Sequence, residues 1–443
     1  MDIFPNPRSF ENSGIFREGD RLLTQIISGI QIFTGEEWIQ DGRILIESGV
    51  VHEIGTAKKR ENEIPKADTF QSFETKNILA IPGFVNAHTH SGMMALRGYG
   101  DDMSFETWLF DQILPREDKL TESDVYYSTL FAQMEMARNG ITTFADMYMH
   151  TENVGRAISE FGMRASLCRG LVDQNGNGNR LMENIRAFEK WHLHDRGRIR
   201  VGFGPHAPYT CSKEYLREVG KVARQNDTFI HIHVKESLKE SDAYSLKDLE
   251  KEGILSDQTI CAHCVHVNDE DIQIMAQNGV GVVHNPSSNL KLGNGIAPIQ
   301  KMKENGIMVG LGTDGVASNN SLDLWKEMHL CSLIHKGANQ NPCLLSGEEV
   351  FRMATIDGQH VLGFPTVGIL KKGYEADITF IDLDHIHYTP LSNLPSHLIY
   401  SGRSADVVAT MVQGKWVYYF GSYPQIDAQD VKRKMAGVFE RLQ

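Results

Sequence analysis

The chain is poor in cysteine, short of basic residues and without a long apolar run. Each shortage excludes a class of protein. Six cysteines are scattered through 443 residues, at 168, 211, 261, 264, 331 and 343. They form no pattern of a disulfide framework, and their usage fits a reducing compartment. Only Cys261 and Cys264 are close, and one CxxC without a second pair makes no zinc knuckle. Both lie in TICAHCVHV, which reads as a buried strand. Lys and Arg number 44 against 57 Asp and Glu, a net charge of -13. Nucleic-acid binding needs clustered cations that displace counterions, so this deficit argues against such a partner and against an anionic membrane surface. No run approaches eighteen apolar residues, so no bilayer-spanning helix is expected. The first twenty residues have neither a basic leader nor an apolar core and carry no secretory signal pattern. The expectation is a cytoplasmic protein whose partners include no membrane and no nucleic acid; a homo-oligomer is compatible with the sequence but not specified by it.

What is present fills a large globular fold. Apolar residues make up 41% of the chain, and 40 glycines bring the total to about half, ordinary for a packed domain. Residues 1–20 read as a loose extension. From Leu22 to Thr56 short strands alternate with turns, and the same texture returns in ADITFIDLD and SADVVATMVQGKWVYYFGSY. Neither piece can bury a core alone, so the two ends are predicted to meet in one small β-sandwich domain, 21–82 with 366–424. Between them, apolar runs at 78–87, 141–148, 163–171, 198–204, 228–234, 258–267, 280–284 and 307–312 alternate with helical patterns such as 123–140 and 212–226. Eight strand–helix units predict an α/β fold with a (β/α)8 TIM barrel over 83–365, followed by a C-terminal helix over 425–443.

In such a barrel the chemistry stands at the C-terminal ends of the strands. There the sequence puts His88 and His90 (AHTH), His206 (GPHAPY), His231, His233 and Glu236 (HIHVKES), His263 and His266 (AHCVH), His284 (HNPSSN) and Asp314 (GTDG). Residues two apart on a strand share a face, so His88 and His90 can both aim at the barrel axis. His233 can join them from across the barrel, and Asp314 adds a carboxylate. Imidazole and carboxylate ligands with an open position suit a catalytic, zinc-like centre rather than a closed structural one. No lysine lies near the end of the fourth strand, which favours one ion over a lysine-bridged pair. His231, His266 and His284 read as structural or supporting residues, and Lys235 as solvated.

The motifs GFVNAHTH, HIHVKES, AHCVH and LGTDG resemble the amidohydrolase superfamily. Together with FETWLFDQILPRED, CRGLVD, VGFGPHAPY and HNPSSNLKLGNGIAPI, they look like the 5-methylthioadenosine/S-adenosylhomocysteine deaminases, over roughly residues 22–435. The resemblance implies one divalent ion per subunit, zinc first with iron or manganese as alternatives, on His88, His90, His233 and Asp314. It implies that Glu236 shuttles protons and that His263 hydrogen-bonds the attacking water, with Asp314 also accepting a proton. It implies that Trp108 packs on a nucleoside, that Glu117 and His206 bind ribose hydroxyls, and that Arg169 and Arg180 bind the carboxylate of a homocysteine end. The expected activity is hydrolytic deamination of adenosine-type nucleosides. The competing expectation is a hydrolase of another aminated or halogenated ring: guanine, cytosine or a triazine.

Overall fold

The computed structural model describes residues 24–57, 69–71, 73, 77–173 and 179–442. The extension expected at 1–20 lies outside them. Both chain ends contribute to one eight-stranded sheet. The early strands are β1 (Thr24–Phe33), β2 (Trp38–Glu47), β3 (Val50–Thr56), β4 (Thr69–Gln71) and β5 (Ile78–Pro82). The late ones are β15 (Ile378–Asp382), β16 (Val407–Val412) and β17 (Lys415–Tyr419). The order is β17-β16-β15-β5-β1-β2-β3, with β4 beside β1. β5 joins the halves, parallel to β1 through Ile32↔Ala80 and antiparallel to β15 through Phe380↔Ala80. Alternate residues (Ile44 and Ile46, Ile78 and Ala80, Ile378 and Phe380, Ala409 and Met411) point to one side and share a separate apolar core.

The run 78–87, read in the sequence as one barrel strand, is two. β5 ends at Pro82, and β6 (Phe84–Thr89) begins a different sheet after Gly83 alone. A Cβ at residue 83 would lie 2.2 Å from the Thr142 side chain, so the crossing requires glycine. The apolar text is continuous because both strands are fully buried.

Two parallel sheets follow. One holds β6, β7 (Ile141–Tyr148), β8 (Arg164–Leu171), β9 (Ile199–Val201) and β10 (Gly204–Pro205). The other holds β11 (Ile230–Val234), β12 (Thr259–His263), β13 (Gly281–His284) and β14 (Val309–Leu311), in that order. β7 and β11 to β13 are buried throughout, as parallel strands covered on both faces must be. The sheets meet along two seams. At one, the amides of His231 and His233 donate to the carbonyls of Phe203 and His206, each at 3.0 Å. At the other, the Asp314 amide donates to the His88 carbonyl at 2.9 Å.

Helices cover these strands, and their ends are legible. The helix Glu122–Arg138 opens on a Thr121–Asp124 capping box and stops at Asn139-Gly140, where Gly140 takes φ +84°. A buried ion pair links the sheets: Arg164 of β8 donates to Asp377 at 2.7 Å, just before β15. The final helix spans Ala428–Leu442. No described helix is long and apolar enough to cross a membrane.

Candidate active site

The C-terminal ends of β6, β11, β12 and the segment after β14 converge. Their backbones are unusual there. Lys235, His263 and Asp314 take φ of +47°, +71° and +60°. Left-handed conformation at residues with a Cβ costs on the order of 1–3 kcal/mol each and persists where the surroundings hold it for a purpose. The turns redirect the chain at the strand mouths and aim the side chains at one point.

His88, His90, His233, His263, Glu236 and Asp314 meet at that point. The ligand atoms of His88, His90 and Asp314 lie within 4.8 Å of one another, and so do those of His88, His233 and His263 and those of Glu236, His263 and Asp314. Asp314 Oδ1 is 3.2 Å from His90 Nε2 and 3.5 Å from His88 Nε2. His90 Nε2 and His233 Nε2 face each other at 3.4 Å.

Proton positions follow from the partners. His90 Nδ1 is 2.7 Å from the Met147 carbonyl, and His233 Nδ1 is 2.6 Å from the His206 carbonyl. A carbonyl only accepts, so both Nδ1 atoms carry hydrogens and both Nε2 atoms turn inward. His88 Nδ1 lies 2.9 Å from His231 Nε2, which leaves His88 Nε2 facing the cluster. Burial drives His233 well below the usual imidazole range, and holds His88 at about 4 despite its bond to Asp314. Burial opposes charge on His90 too, but Asp314 outweighs it and raises His90 to about 9. Burial likewise works against charge on Asp314, and the bonds from His88 and His90 overcome it, holding Asp314 well below the carboxylate range. Two neutral imidazoles (His88 and His233), one carboxylate and one imidazole that attracts a proton together favour one added positive charge. Such a donor set fits a divalent cation, which would displace that proton.

The supporting contacts are extensive. Asp314 Oδ1 accepts from the Gly315 amide at 2.7 Å, and Oδ2 accepts from the Ser288 and Ser318 hydroxyls at 2.7 and 2.8 Å. His263 Nδ1 is 2.9 Å from Asn289 Oδ1, and its Nε2 points toward Glu236 Oε2 at 3.8 Å. Asn294 donates to Glu236 Oε1 at 3.1 Å, and the Glu236 amide donates to Glu240 at 3.0 Å. Burial raises Glu236 above its usual range and pushes Glu240 up to about 7. Asp146, fully buried beside His90, accepts from the Ser91 amide at 2.5 Å and is raised to about 6 by burial. Sequence reasoning singled out none of Asp146, Glu240, Ser288, Ser318, Asn289 or Asn294. The available signal was HNPSSN…GNG, polar residues directly after a strand in an otherwise apolar region.

Lys235 corrects an expectation. It is 6% exposed rather than solvated, and its ammonium pairs with Asp271 at 2.6 Å. Asp271 also caps the helix Asp269–Gln277, so the turn after β11 is pinned to the next helix. His284 lies outside the cluster, 3.2 Å from His335 and grouped with buried Cys331.

The five residues expected at the substrate are placed as follows. Trp108 is buried, and its Nε1 donates to the Ala317 carbonyl at 3.3 Å, three residues past Asp314. Glu117 is buried and raised above the usual range by that burial, against the influence of Tyr148, His90 and Arg169. His206 has its ring centroid 4.8 Å from that of His233, and burial holds it neutral at about 3. Arg169, at the end of β8, is paired with Glu183 at 3.0 Å. Arg180 opens the helix Arg180–Trp191; burial lowers it, and the neighbouring Arg169 charge lowers it further. The Gly/Asn-rich loop before it, 174–178, lies outside the described residues.

The amidohydrolase family profile matches residues 79–417, from β5 to β17. The chain belongs to the amidohydrolase family. The match carries every strand that delivers a residue to the cluster. Among individual amidohydrolase relatives, a 5-methylthioadenosine/S-adenosylhomocysteine deaminase from Thermotoga maritima is 48% identical over 365 residues, covering 82% of this chain and 88% of that protein. A 5'-deoxyadenosine deaminase from Methanosarcina mazei is 42% identical over 416 residues, covering 91% and 94%. Among solved structures, an adenosine deaminase from Xanthomonas campestris with bound zinc superposes with a TM-score of 0.90 at 26% identity, covering 95% of this chain and 98% of that one.

Proposed function

We propose that this amidohydrolase removes the ring amino group from adenosine-type nucleosides by adding water, with one divalent ion held by His88, His90, His233 and Asp314. The observation that carries the reading is the inward turn of His90 Nε2 and His233 Nε2, 3.4 Å apart, each fixed by a backbone carbonyl on its other nitrogen. The fold reading that goes with it is a closed (β/α)8 barrel over 83–365 with its mouth at this cluster. A β-sandwich built from the described strands within 24–82 and 366–424, followed by the helix Ala428–Leu442, completes the division. Zinc is the expected ion, and imidazole with carboxylate also admits iron or manganese. The relatives named above share an adenosine core and differ at its 5' position, which sets the substrate class.

A divalent ion bound there supplies Lewis acidity that lowers the pKa of a water from 15.7 to about 7. The protein's own groups do the remainder. Glu236, whose carboxyl is raised above its usual range by burial, carries the proton that goes to the ring nitrogen beside the amino-bearing carbon. That transfer makes the carbon electrophilic toward water. Asp314 accepts the water's proton; its Oδ1 is the oxygen that faces the cluster, while Oδ2 accepts from two hydroxyls. His263 Nε2 orients the water and steadies charge as the tetrahedral centre forms. A proton then reaches the amino group, and ammonia leaves. Glu117 and His206 bind the ribose hydroxyls, and Trp108 covers the sugar and base.

Purified protein is expected to contain about one equivalent of metal and to convert adenosine, 5'-methylthioadenosine or S-adenosylhomocysteine to the hypoxanthine product, followed by ultraviolet absorbance and ammonia release. Metal-loaded protein that leaves all of these unchanged while acting on guanine, cytosine or a triazine would overturn the substrate assignment. The arginines make a finer prediction. Arg169 is already paired with Glu183, whereas Arg180 has no ion pair among the described residues, so Arg180 is the one assigned to a substrate carboxylate. Arg180→Ala should raise KM for S-adenosylhomocysteine about 10- to 150-fold, as losing a charged hydrogen bond of about 1.5–3 kcal/mol implies. KM for 5'-methylthioadenosine, which has no carboxylate, should move less than twofold.

A further inference from the structure

Behind the cluster, a glutamate with no atom at the surface joins two segments that support it. Glu327 belongs to the helix Leu324–Ala338 and is 0% exposed. Its Oε2 accepts from the Ser287 amide at 3.0 Å, and its Oε1 accepts from Asn319 Nδ2 at 2.8 Å. The first bond holds the short helix Pro286–Lys291, which carries Ser288 and Asn289. The second holds the turn Val316–Asn319, which carries Ser318. The same Asn319 amide also donates to the Thr313 carbonyl at 2.7 Å, next to Asp314. Ser288 and Ser318 grip Asp314 Oδ2, and Asn289 fixes His263 Nδ1.

We infer that Glu327 is a positioning residue: its buried carboxylate clamps the Ser288–Asn289 segment to the Ser318 turn and so sets how Asp314 and His263 face the reacting centre. Three facts support this. An isolated buried carboxylate is costly, and it is retained where hydrogen bonds use it. No cation within salt-bridge distance neutralises it among the described residues; its partners are an amide on each side. And the groups it holds are those that orient Asp314 and His263, so a shift here is transmitted by rigid hydrogen bonds rather than by loose packing. Burial pushes Glu327 up to about 7, against the bonds from Ser287 and Asn319.

Glu327→Gln keeps the volume, but its amide group must face one of the two N–H donors. One strut is lost. The inference rests on the metal-dependent reading above, so the test has one arm that needs no turnover. Affinity for zinc, measured by competition with a chelator, should fall about 10- to 100-fold in Glu327→Gln, the usual effect of disturbing groups that orient ligands. In the active enzyme kcat should fall at least tenfold with KM within twofold. Because Glu327 acts through Ser288, the Glu327→Gln and Ser288→Ala effects on zinc affinity should be less than additive in the double variant. Glu327→Asp, which keeps the charge on a shorter arm, should recover part of both losses. If Glu327→Gln fails to fold, Asn319→Ala and Ser288→Ala test the same struts separately and should each weaken zinc by several-fold. Unchanged zinc affinity in folded Glu327→Gln, or fully additive effects with Ser288→Ala, would overturn the inference. Wild-type protein that binds zinc but deaminates no nucleoside would instead overturn only the function proposed above.

Discussion

Replacing Glu236 by Gln lowers kcat by at least a hundredfold while metal content stays at one equivalent. The expectation comes from what the carboxyl does and does not touch. Glu236 accepts from Asn294, faces His263 Nε2 at 3.8 Å, and is raised above its usual range by burial, which favours its proton-carrying form. General acid–base catalysis of this kind is worth about 10²- to 10⁴-fold. Gln preserves volume and can still accept from Asn294, but it cannot deliver a proton to the ring. The loss should therefore fall on kcat, with KM for the nucleoside changed little. Steady-state kinetics on metal-quantified protein makes the check. A variant retaining more than a tenth of wild-type kcat would assign the shuttle to another residue.

Asp314→Asn is expected to act on both chemistry and ion retention. Asp314 Oδ1 lies 3.2 Å from His90 Nε2, while Oδ2 is committed to the Ser288 and Ser318 hydroxyls. The amide of Asn must present nitrogen to one of these sets. Facing the imidazoles, it offers no lone pair to an ion; facing the hydroxyls, it forces them to turn. Loss of a charged ligand that also takes the proton of water removes several kcal/mol of stabilisation, and about 4 kcal/mol corresponds to about a thousandfold in kcat/KM. Metal analysis after dialysis should find well under half an equivalent in Asp314→Asn, in contrast to Glu236→Gln. The pH dependence of binding has a defined sign. His90, raised to about 9, carries a proton that an ion must displace, so affinity rises with pH up to that value. Below it, the loss is about tenfold per pH unit, readable as proton release on zinc addition.

Residue type made some of this site visible in the sequence. His88 with His90, and His233, stand two apart or at strand ends in apolar text, and a polar residue in a buried strand needs a reason. Asp314 stands out for the same reason in GTDG. The supporting groups were silent, because a serine or asparagine on a short helix has no spacing signature. Ser288 matters only through its 2.7 Å contact with a residue 26 positions away, and Glu327 only through contacts with Ser287 and Asn319. Lys235 was misread because its partner, Asp271, sits in a helix cap 36 positions along. Periodicity located the helix Glu122–Arg138 to within two residues of the expected 123–140, since both its start and its stop are local signals. It did not divide 78–87, because burial on both faces erases the alternation that would have revealed two strands.

The placement of β5 bears on how the chain reaches this state. Strand β5 needs β15 on one edge, and β15 is synthesised almost three hundred residues later. One residue beyond β5, β6 carries His88, and His90 follows its last residue. While the polypeptide emerges from the ribosome, the first half of the cluster is thus tethered to an unpaired strand edge until the last part of translation. Such an edge is open to wrong pairings in the interval. Truncation after residue 370 should for this reason damage the histidine cluster as well as the sheet, although every cluster residue would still be present.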